Sequence, residues 1–145
     1  MKKIAGRFGQ QVRENRGVDN MNNGFVGIDH IQLAAPKDSE SEARNFYGKI
    51  LGLKEIPKPD NLAKRGGVWF EVGRQQLHIG IQLDFSPAKK AHPAFEVNNI
   101  QTLHERLQKY NVNVTEDEPL EGAKRFYVHD PFGNRIEFLE RLLRH

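Results

Sequence analysis

The sequence predicts an α+β fold built from two tandem βαβββ modules. Three observations predict it: apolar strand-like stretches bounded by turn residues, two stretches with apolar residues at helical spacing, and recurrence of the whole order after residue 85. A chain of 145 residues is long enough for one domain with a real core, and too short for two ordinary domains. We therefore expect the modules, residues 25–85 and 86–145, to form one domain together.

The first module starts with FVGIDHIQLAA, which has the composition of a strand and is ended by Pro36. Ser39 and Glu42 have the spacing of a capping box, and the apolar residues that follow at helical spacing predict a helix that stops at Gly52. LKEIP, VWFEV and QLHIGIQL then predict three strands, with the polar loop KPDNLAKRGG between the first two.

The second module repeats this order. HPAFEV predicts a strand, Asn98 or Asn99 caps a helix, and Asn111 closes that helix. VNVTE, KRFYVHD and NRIEFLE predict three further strands, and the sequence DPFG over residues 130–133 predicts the turn before the last one.

Residues 1–24 form a basic extension that we expect to be flexible or loosely docked, because its apolar residues are scattered among glycine, asparagine and charge. This segment holds the whole formal net charge of +3, so the modules are neutral and nucleic acid is not an expected partner. No apolar run is long enough to cross a bilayer. The chain has no cysteine, which excludes disulfides and thiolate ligands and makes the cytoplasm the expected location.

Four of the predicted strands carry one residue able to bind a metal among apolar neighbours. Because side chains alternate along a strand, each of these residues lies on a polar face, and the opposite face of the strand is apolar and can pack under a helix. The four residues are His30, His78, His92 and Glu137. His30 and His92 open the two modules, and His78 and Glu137 lie in their last strands. Side chains at matching places of a repeat converge if the two modules are related by a rotation.

Three imidazoles and one carboxylate would leave open positions on a six-coordinate divalent ion, as a catalytic site requires. The alternative to metal binding is a structural role. Each histidine would then be an ordinary core or surface residue, and Glu137 would form an ion pair with Arg125 or Arg135. The joint placement of the four favours a shared metal site over four separate structural roles.

The sequence resembles a known family over about residues 25–140. GIDHIQLAAP, RNFYGKILGLK, HPAFEV and FYVHDPFGNRIEFLE are similar to the vicinal oxygen chelate superfamily, which includes glyoxalase I, fosfomycin and bleomycin resistance proteins and extradiol dioxygenases. The D-P-x-G-x-x-x-E segment is the most specific part of this resemblance. It implies that the paired modules form a partly open mixed-sheet barrel or cup with helices outside, and that His30, His78, His92 and Glu137 are metal ligands.

The resemblance implies a glyoxalase-like enzyme of lyase, isomerase or transferase type that chelates neighbouring oxygens of a small molecule on Ni, Zn, Mn or Fe. Glu137 and Tyr127 are the expected catalytic residues. His78 departs from the Glu or Gln usual in glyoxalase-like enzymes, and Gln32 from the Thr or Cys of fosfomycin thiol transferases, which counts against those two activities.

Two alternatives stay open. In an Fe(II) extradiol dioxygenase, His30, His92 and Glu137 would form the iron triad, with His78 and Tyr127 as acid, base or hydrogen-bond donors. A metal-free binding or resistance protein is the other alternative. Relatives with two modules often form homodimers in which both subunits contribute ligands, so a homodimer is also expected.

Overall fold

The computed structural model describes residues 23–142. The first half contains strand β1 (His30–Ala35), a helix α1 over Glu40–Ala43 that continues with π-helical geometry over Arg44–Ile50, strand β2 (Glu55–Ile56), a 3-10 helix over Asp60–Arg65, and strands β3 (Val68–Val72) and β4 (Gln75–Ile81). The second half contains strand β5 (Ala94–Glu96), helix α2 (Ile100–Lys109), and strands β6 (Ala123–His129) and β7 (Arg135–Arg141). Most of the predicted basic extension lies outside the described residues.

The strands form two mixed sheets with matching topology. In sheet 1 the order is β1-β4-β3-β2, with β1 parallel to β4 and β3 antiparallel to it. In sheet 2 the order is β5-β7-β6, with β5 parallel to β7 and β6 antiparallel to it. Within residues 23–142 the sheets do not close into a barrel, so the predicted mixed α+β cup is confirmed as an open arrangement.

Two strands are shorter than the sequence predicts. The strand predicted to start at Phe25 begins at His30, and Phe25 itself is 76% exposed. Residues 112–116 make only a bridge between Thr115 and Tyr127 instead of a strand. Thr115 exchanges both of its backbone hydrogen bonds with Tyr127, at 2.8 Å each, so pairing at this edge is limited to one residue.

The helix boundaries follow mainly from local chemistry. Asn99 caps α2, because its side-chain oxygen accepts a hydrogen bond from the backbone N–H of Thr102 at 3.0 Å. Asn111 ends the same helix in a left-handed conformation, with a φ of 59°. Ser39 precedes α1 as predicted, but its hydroxyl donates to the carbonyl of Pro36 at 2.6 Å. Its backbone is not extended, and no side-chain hydrogen bond caps the helix.

A shared apolar core and several polar bonds join the halves. Leu77 and Ile79 of β4 and Ile136 and Phe138 of β7 belong to the same buried cluster. Because strand side chains alternate, the residues between them face the opposite side of each sheet. Among residues 23–142, no helix is long and apolar enough to span a membrane.

The turn before β7 contains buried polar residues that bond the two halves to each other. The hydroxyl of Tyr47 donates to Asp130 Oδ2 at 2.6 Å, and the amide of Asn134 donates to the carbonyl of Ala34 at 2.8 Å. Arg106 of α2 donates to the carbonyl of Ile50 at 2.6 Å. These bonds fix α1 and β1 of the first half against the second half.

Candidate functional site

The first pair of predicted ligands lies on the polar face of sheet 1. Gln32 is directly opposite His78 in the parallel pairing of β1 with β4, which puts His30 and His78 on the same face. Their rings stack with centroids 4.2 Å apart. Trp69, opposite His78 on β3, stacks on its other side at 3.7 Å with an interplanar angle of 2°. His78 is therefore held between an indole and a second imidazole.

Hydrogen bonds orient both rings of this pair. Nδ1 of His30 lies 2.9 Å from Asp29 Oδ2, and Nε2 of His78 lies 2.9 Å from Gln76 Oε1. Carboxylate and amide oxygens are acceptors, so these two ring nitrogens carry the protons. The other nitrogen of each neutral ring then keeps a lone pair, which is the form that binds a metal.

Electrostatics also keep His78 neutral. Burial lowers the pKa of His78, and the neighbouring imidazole of His30 lowers it further, while Asp29 acts in the opposite direction. The histidine is 5% exposed. His78 thus offers an uncharged nitrogen donor.

The second pair, His92 and Glu137, lies on the polar face of sheet 2. Nε2 of His92 is 3.0 Å from Glu137 Oε1, and Nδ1 of the same ring is 2.8 Å from the carbonyl oxygen of Lys90. Both neighbours are acceptors, whereas a neutral imidazole has one proton to donate. A neutral ring can therefore satisfy only one of these two acceptors, and a divalent ion between Nε2 and Glu137 would account for both contacts.

Glu137 is almost fully enclosed, with 5% of the residue exposed. Its Oε2 lies 3.5 Å from NH1 of Arg125. One of the two ion pairs considered as alternatives for Glu137 is therefore present. Arg135 instead places its guanidinium 3.8 Å from the ring centre of Tyr127 and 3.6 Å from Asp117 Oδ2.

Tyr127 lies directly beside this pair. It is opposite Glu137 in the pairing of β6 with β7, and the edge of its ring meets His92 with centroids 5.2 Å apart. NH1 of Arg125 donates to its hydroxyl at 3.2 Å. Burial raises the pKa of Tyr127, and the carboxylates of Asp117 and Glu137 raise it further, so the phenol keeps its proton at neutral pH.

The two pairs do not meet within one chain. Over residues 23–142, no three His, Cys, Asp or Glu residues are grouped closely enough to hold a metal ion. The donors of sheet 2 nevertheless fit a divalent ion. Two ligands about 2.1 Å from one ion, at a right angle to each other, are about 3.0 Å apart, which matches the separation of His92 Nε2 from Glu137 Oε1. Nitrogen and oxygen donors are typical for Ni, Zn, Mn and Fe.

Sequence reasoning missed two supports of these pairs. The first is Trp69, whose stacking on His78 depends on a strand register that the sequence does not show. The second is Asp117, which lies 3.6 Å from both Arg125 and Arg135. It belongs to a loop with no periodic pattern, whereas strand alternation alone places Arg125 and Tyr127 on one face of β6.

The chain is similar to known proteins of one superfamily. The family model described as Glyoxalase/Bleomycin resistance protein/Dioxygenase superfamily matches residues 27–138. The crystal structure of a glyoxalase family protein from Bacillus anthracis is 53% identical, has a TM-score of 0.81, and aligns over 83% of this chain and 99% of its own.

Two more distant relatives are also similar to this chain. The protein Glyoxylase I 4 of Arabidopsis thaliana is 25% identical over 128 residues, which cover 78% of this chain and 70% of the relative. The crystal structure of a glyoxalase/dioxygenase from Nostoc punctiforme is 20% identical, with a TM-score of 0.68, and aligns over 86% of this chain and 94% of its own. At this level of identity the second likeness concerns the fold alone.

Proposed function

The chain belongs to the glyoxalase/bleomycin resistance protein/dioxygenase superfamily, and from that premise we propose that it is a metal-dependent enzyme of glyoxalase type. Its substrate is a small molecule with two neighbouring oxygens, and its reaction is of the lyase, isomerase or transferase kind. The proposed ligands of the divalent ion are His30, His78, His92 and Glu137.

One observation carries the proposal. Nδ1 of His92 faces a backbone carbonyl while its Nε2 faces the buried carboxylate of Glu137 at 3.0 Å. A neutral ring cannot satisfy two acceptors, and Arg125, 3.5 Å from Oε2, leaves the Oε1 side of the buried carboxylate without a cation. A divalent ion between the two donors resolves both requirements, with Arg125 as the second partner of Glu137.

We propose further that each complete site forms between two copies of the chain, sheet 1 of one copy facing sheet 2 of the other. Two features support this. Within residues 23–142, β1 pairs only with β4 and β5 only with β7, so the outer edge of each of these two strands has no strand partner. Phe25, Val26 and Ile28, which precede β1, are 64–76% exposed. Exposed apolar residues beside a free strand edge are typical of a surface that another chain covers.

The side chains around the second pair have distinct roles in this proposal. The ion would act as a Lewis acid that polarises the two substrate oxygens. Glu137 is the proposed proton acceptor, because its two oxygens face different partners and one of them can be released towards the substrate. Tyr127 is the proposed hydrogen-bond donor to the developing negative charge, since its phenol stays protonated.

Metal analysis of protein purified without chelators separates the three hypotheses. Nickel, zinc or manganese at one ion per chain, together with activity that returns when the ion is restored, supports the glyoxalase-type enzyme. Iron with ring cleavage of a catechol supports the extradiol dioxygenase, in which His78 and Tyr127 would serve as acid, base or donor. Protein that takes up none of these ions contradicts both enzymes and supports a metal-free binding protein.

Mixing two inactive variants tests whether the site is shared. His78→Ala removes a ligand of sheet 1 and His92→Ala a ligand of sheet 2. If the site joins two chains, a mixed dimer contains one intact site, and the mixture regains metal binding and up to about a quarter of the activity if chains exchange at random.

The matched control is a mixture of His30→Ala with His78→Ala, both on sheet 1, which cannot rebuild a shared site. Recovery in the first mixture alone supports the dimeric site. No recovery in a first mixture that contains mixed dimers, as shown by chains of different mass, contradicts it.

A further inference from the structure

A hollow in the surface adjoins the candidate ligands of sheet 1. It has a volume of about 150 Å³ and lies between β4 and the loop that carries the 3-10 helix of residues 60–65. The side chains that give it its chemistry are Gln32, Lys58, Arg65 and Trp69. Gly80 forms part of its wall.

Three residues that line this hollow are neighbours of His78. Trp69 lines the hollow and stacks on His78 at 3.7 Å. Gly80 is two residues from His78 on the same face of β4. Gln32 pairs directly opposite His78 and lies over Gly80, where an added Cβ would collide with its amide nitrogen. A group bound in the hollow would therefore be separated from His78, a proposed metal ligand, by a single layer of side chains.

The loop is held firmly enough to position its charges. The ammonium of Lys58 donates to the carbonyl of Gly66, which ties the two ends of the loop together. Gly67 has a φ of 85°, and a Cβ there would collide with the carbonyl of Ile79, so the loop backbone packs directly on β4. Both contacts place the cationic residues of the loop over the strand that carries His78.

Positive charge predominates around the hollow. Lys58 and Arg65 line it, and no acidic residue does. Within residues 23–142, neither of these cations forms an ion pair. The carboxylate of Glu40 lies near Gly66, which also forms part of the wall. Two cations and an amide beside an aromatic wall form a suitable receptor for an oxygen-rich anion.

We propose that this hollow binds a carboxylate or phosphate group of the substrate, so that Lys58 and Arg65 select vicinal-oxygen compounds with an anionic substituent. The proposal rests on the proposed function in one respect, because the two vicinal oxygens of the substrate would be bound by the metal ion beside His78. Anion binding itself requires only the hollow. The volume of about 150 Å³ suits one such group and not a long chain.

Trp69 is the only tryptophan of the chain, so its fluorescence reports binding directly. The metal-free protein is titrated with succinate and, separately, with inorganic phosphate at constant ionic strength. We expect a saturable change whose apparent Kd rises about tenfold in the double variant Lys58→Met/Arg65→Gln. The stronger of the two titrations identifies the anion.

Lys64→Gln is the matched control. It removes the same charge from the same 3-10 helix, but Lys64 does not line the hollow. Arg65→Gln alone guards against misfolding, because Arg65 is exposed, whereas Lys58 also ties the loop. Equal weakening in Lys64→Gln and Arg65→Gln, or no saturable change with either anion, overturns the proposal.

A second titration links the hollow to the metal site. The monohydroxamate of succinic acid and the hydroxamate of butyric acid chelate a metal in the same way, and only the first carries a carboxylate. On metal-loaded protein we expect the first to bind about tenfold more tightly, and the double variant to abolish this preference without changing metal affinity. Equal binding of the two ligands to wild-type protein overturns the inference and leaves the metal enzyme intact.

The two proposals fail separately. If the protein binds no metal but the succinate or phosphate titration still depends on Lys58 and Arg65, the proposed function fails and the anion site stands. If metal binds normally and neither anion distinguishes Arg65→Gln from Lys64→Gln, the anion site fails and the proposed function stands.

Discussion

The two sheets share the pairing of one parallel and one antiparallel neighbour around a central strand, but their polar faces differ in electrostatic character. On sheet 1, His78 is stacked between Trp69 and His30, and its pKa is lowered, so the face offers neutral nitrogen donors. On sheet 2, the buried carboxylate of Glu137 lies beside His92 and within 3.5 Å of Arg125. One module therefore supplies uncharged donors and the other supplies the negative charge.

This difference shows that a repeated fold does not repeat its chemistry. A divalent cation gains most from an anionic ligand, and neutral imidazoles complete its coordination. Neither face has enough donors by itself, because each contributes two of the four proposed ligands. Substitutions on the two faces and at the contact between the two halves should differ in the size of their effects.

The largest effect is expected from Glu137→Gln, which keeps the shape of the side chain and removes its charge. Loss of a residue that only orients a ligand weakens metal binding 10–100-fold, so loss of the anionic ligand should weaken it by at least about 100-fold. His78→Gln, which removes a neutral donor, should weaken it less. Competition with a coloured chelator measures both affinities.

Glu121→Gln is the control for lost charge, since Glu121 is exposed in a turn away from both pairs. A larger loss in His78→Gln than in Glu137→Gln would reverse the assignment of roles to the two faces. Unchanged affinity in both variants would remove the proposed metal site altogether.

The second effect concerns the joint between the two regions. Tyr47→Phe removes the hydroxyl that donates to the buried Asp130 carboxylate at 2.6 Å, and should lower the free energy of unfolding by about 2 kcal/mol. Burial, together with the charge and hydrogen bond of Asp130, raises the pKa of Tyr47 well above its ordinary value.

The pH dependence of this joint has a definite sign. Unfolded Tyr47 loses its proton near pH 10 and the folded residue only at higher pH, so the unfolded state binds fewer protons above pH 10. The stabilisation from this group is complete below pH 10 and declines as pH rises further. Urea unfolding at pH 8 and pH 11 should show a smaller decline for Tyr47→Phe than for wild type. An identical decline would contradict the raised pKa of Tyr47.

The smallest effect is expected from Arg125→Met, which removes the internal cation next to Glu137. Arg125 competes electrostatically with a metal ion for the same carboxylate, so its loss should tighten metal binding about threefold. The metal-free protein should lose about 1 kcal/mol of stability, because Glu137 loses a partially buried ion pair. Isothermal titration and urea unfolding measure the two changes.

Arg74→Met provides the comparison, since Arg74 lies in an exposed turn between β3 and β4. Weaker metal binding in Arg125→Met would show that the guanidinium positions Glu137 for the ion and does not compete with it.

Sequence periodicity was sufficient for the strands and helices that bury an apolar face. It predicted α2 with a cap at Asn98 or Asn99 and an end at Asn111; the structure shows that the cap is Asn99 and that Asn111 ends the helix. It failed where pairing is limited to an edge, as at Thr115, because one bridging residue leaves no pattern of alternation. It also placed the cap of α1 on Ser39, whose hydroxyl bonds to Pro36.

The sequence by itself determined which side of each strand carries His30, His78, His92 and Glu137, because alternation along a strand is a property of the backbone. Only the tertiary structure decided which of these residues meet, since pairing across strands depends on register and on the packing of the two sheets. It joined His30 with His78 and His92 with Glu137, and kept the two pairs apart within residues 23–142. The stacking of Trp69 on His78, and the choice of Arg125 instead of Arg135 as the partner of Glu137, arise from distances in space that no local pattern encodes.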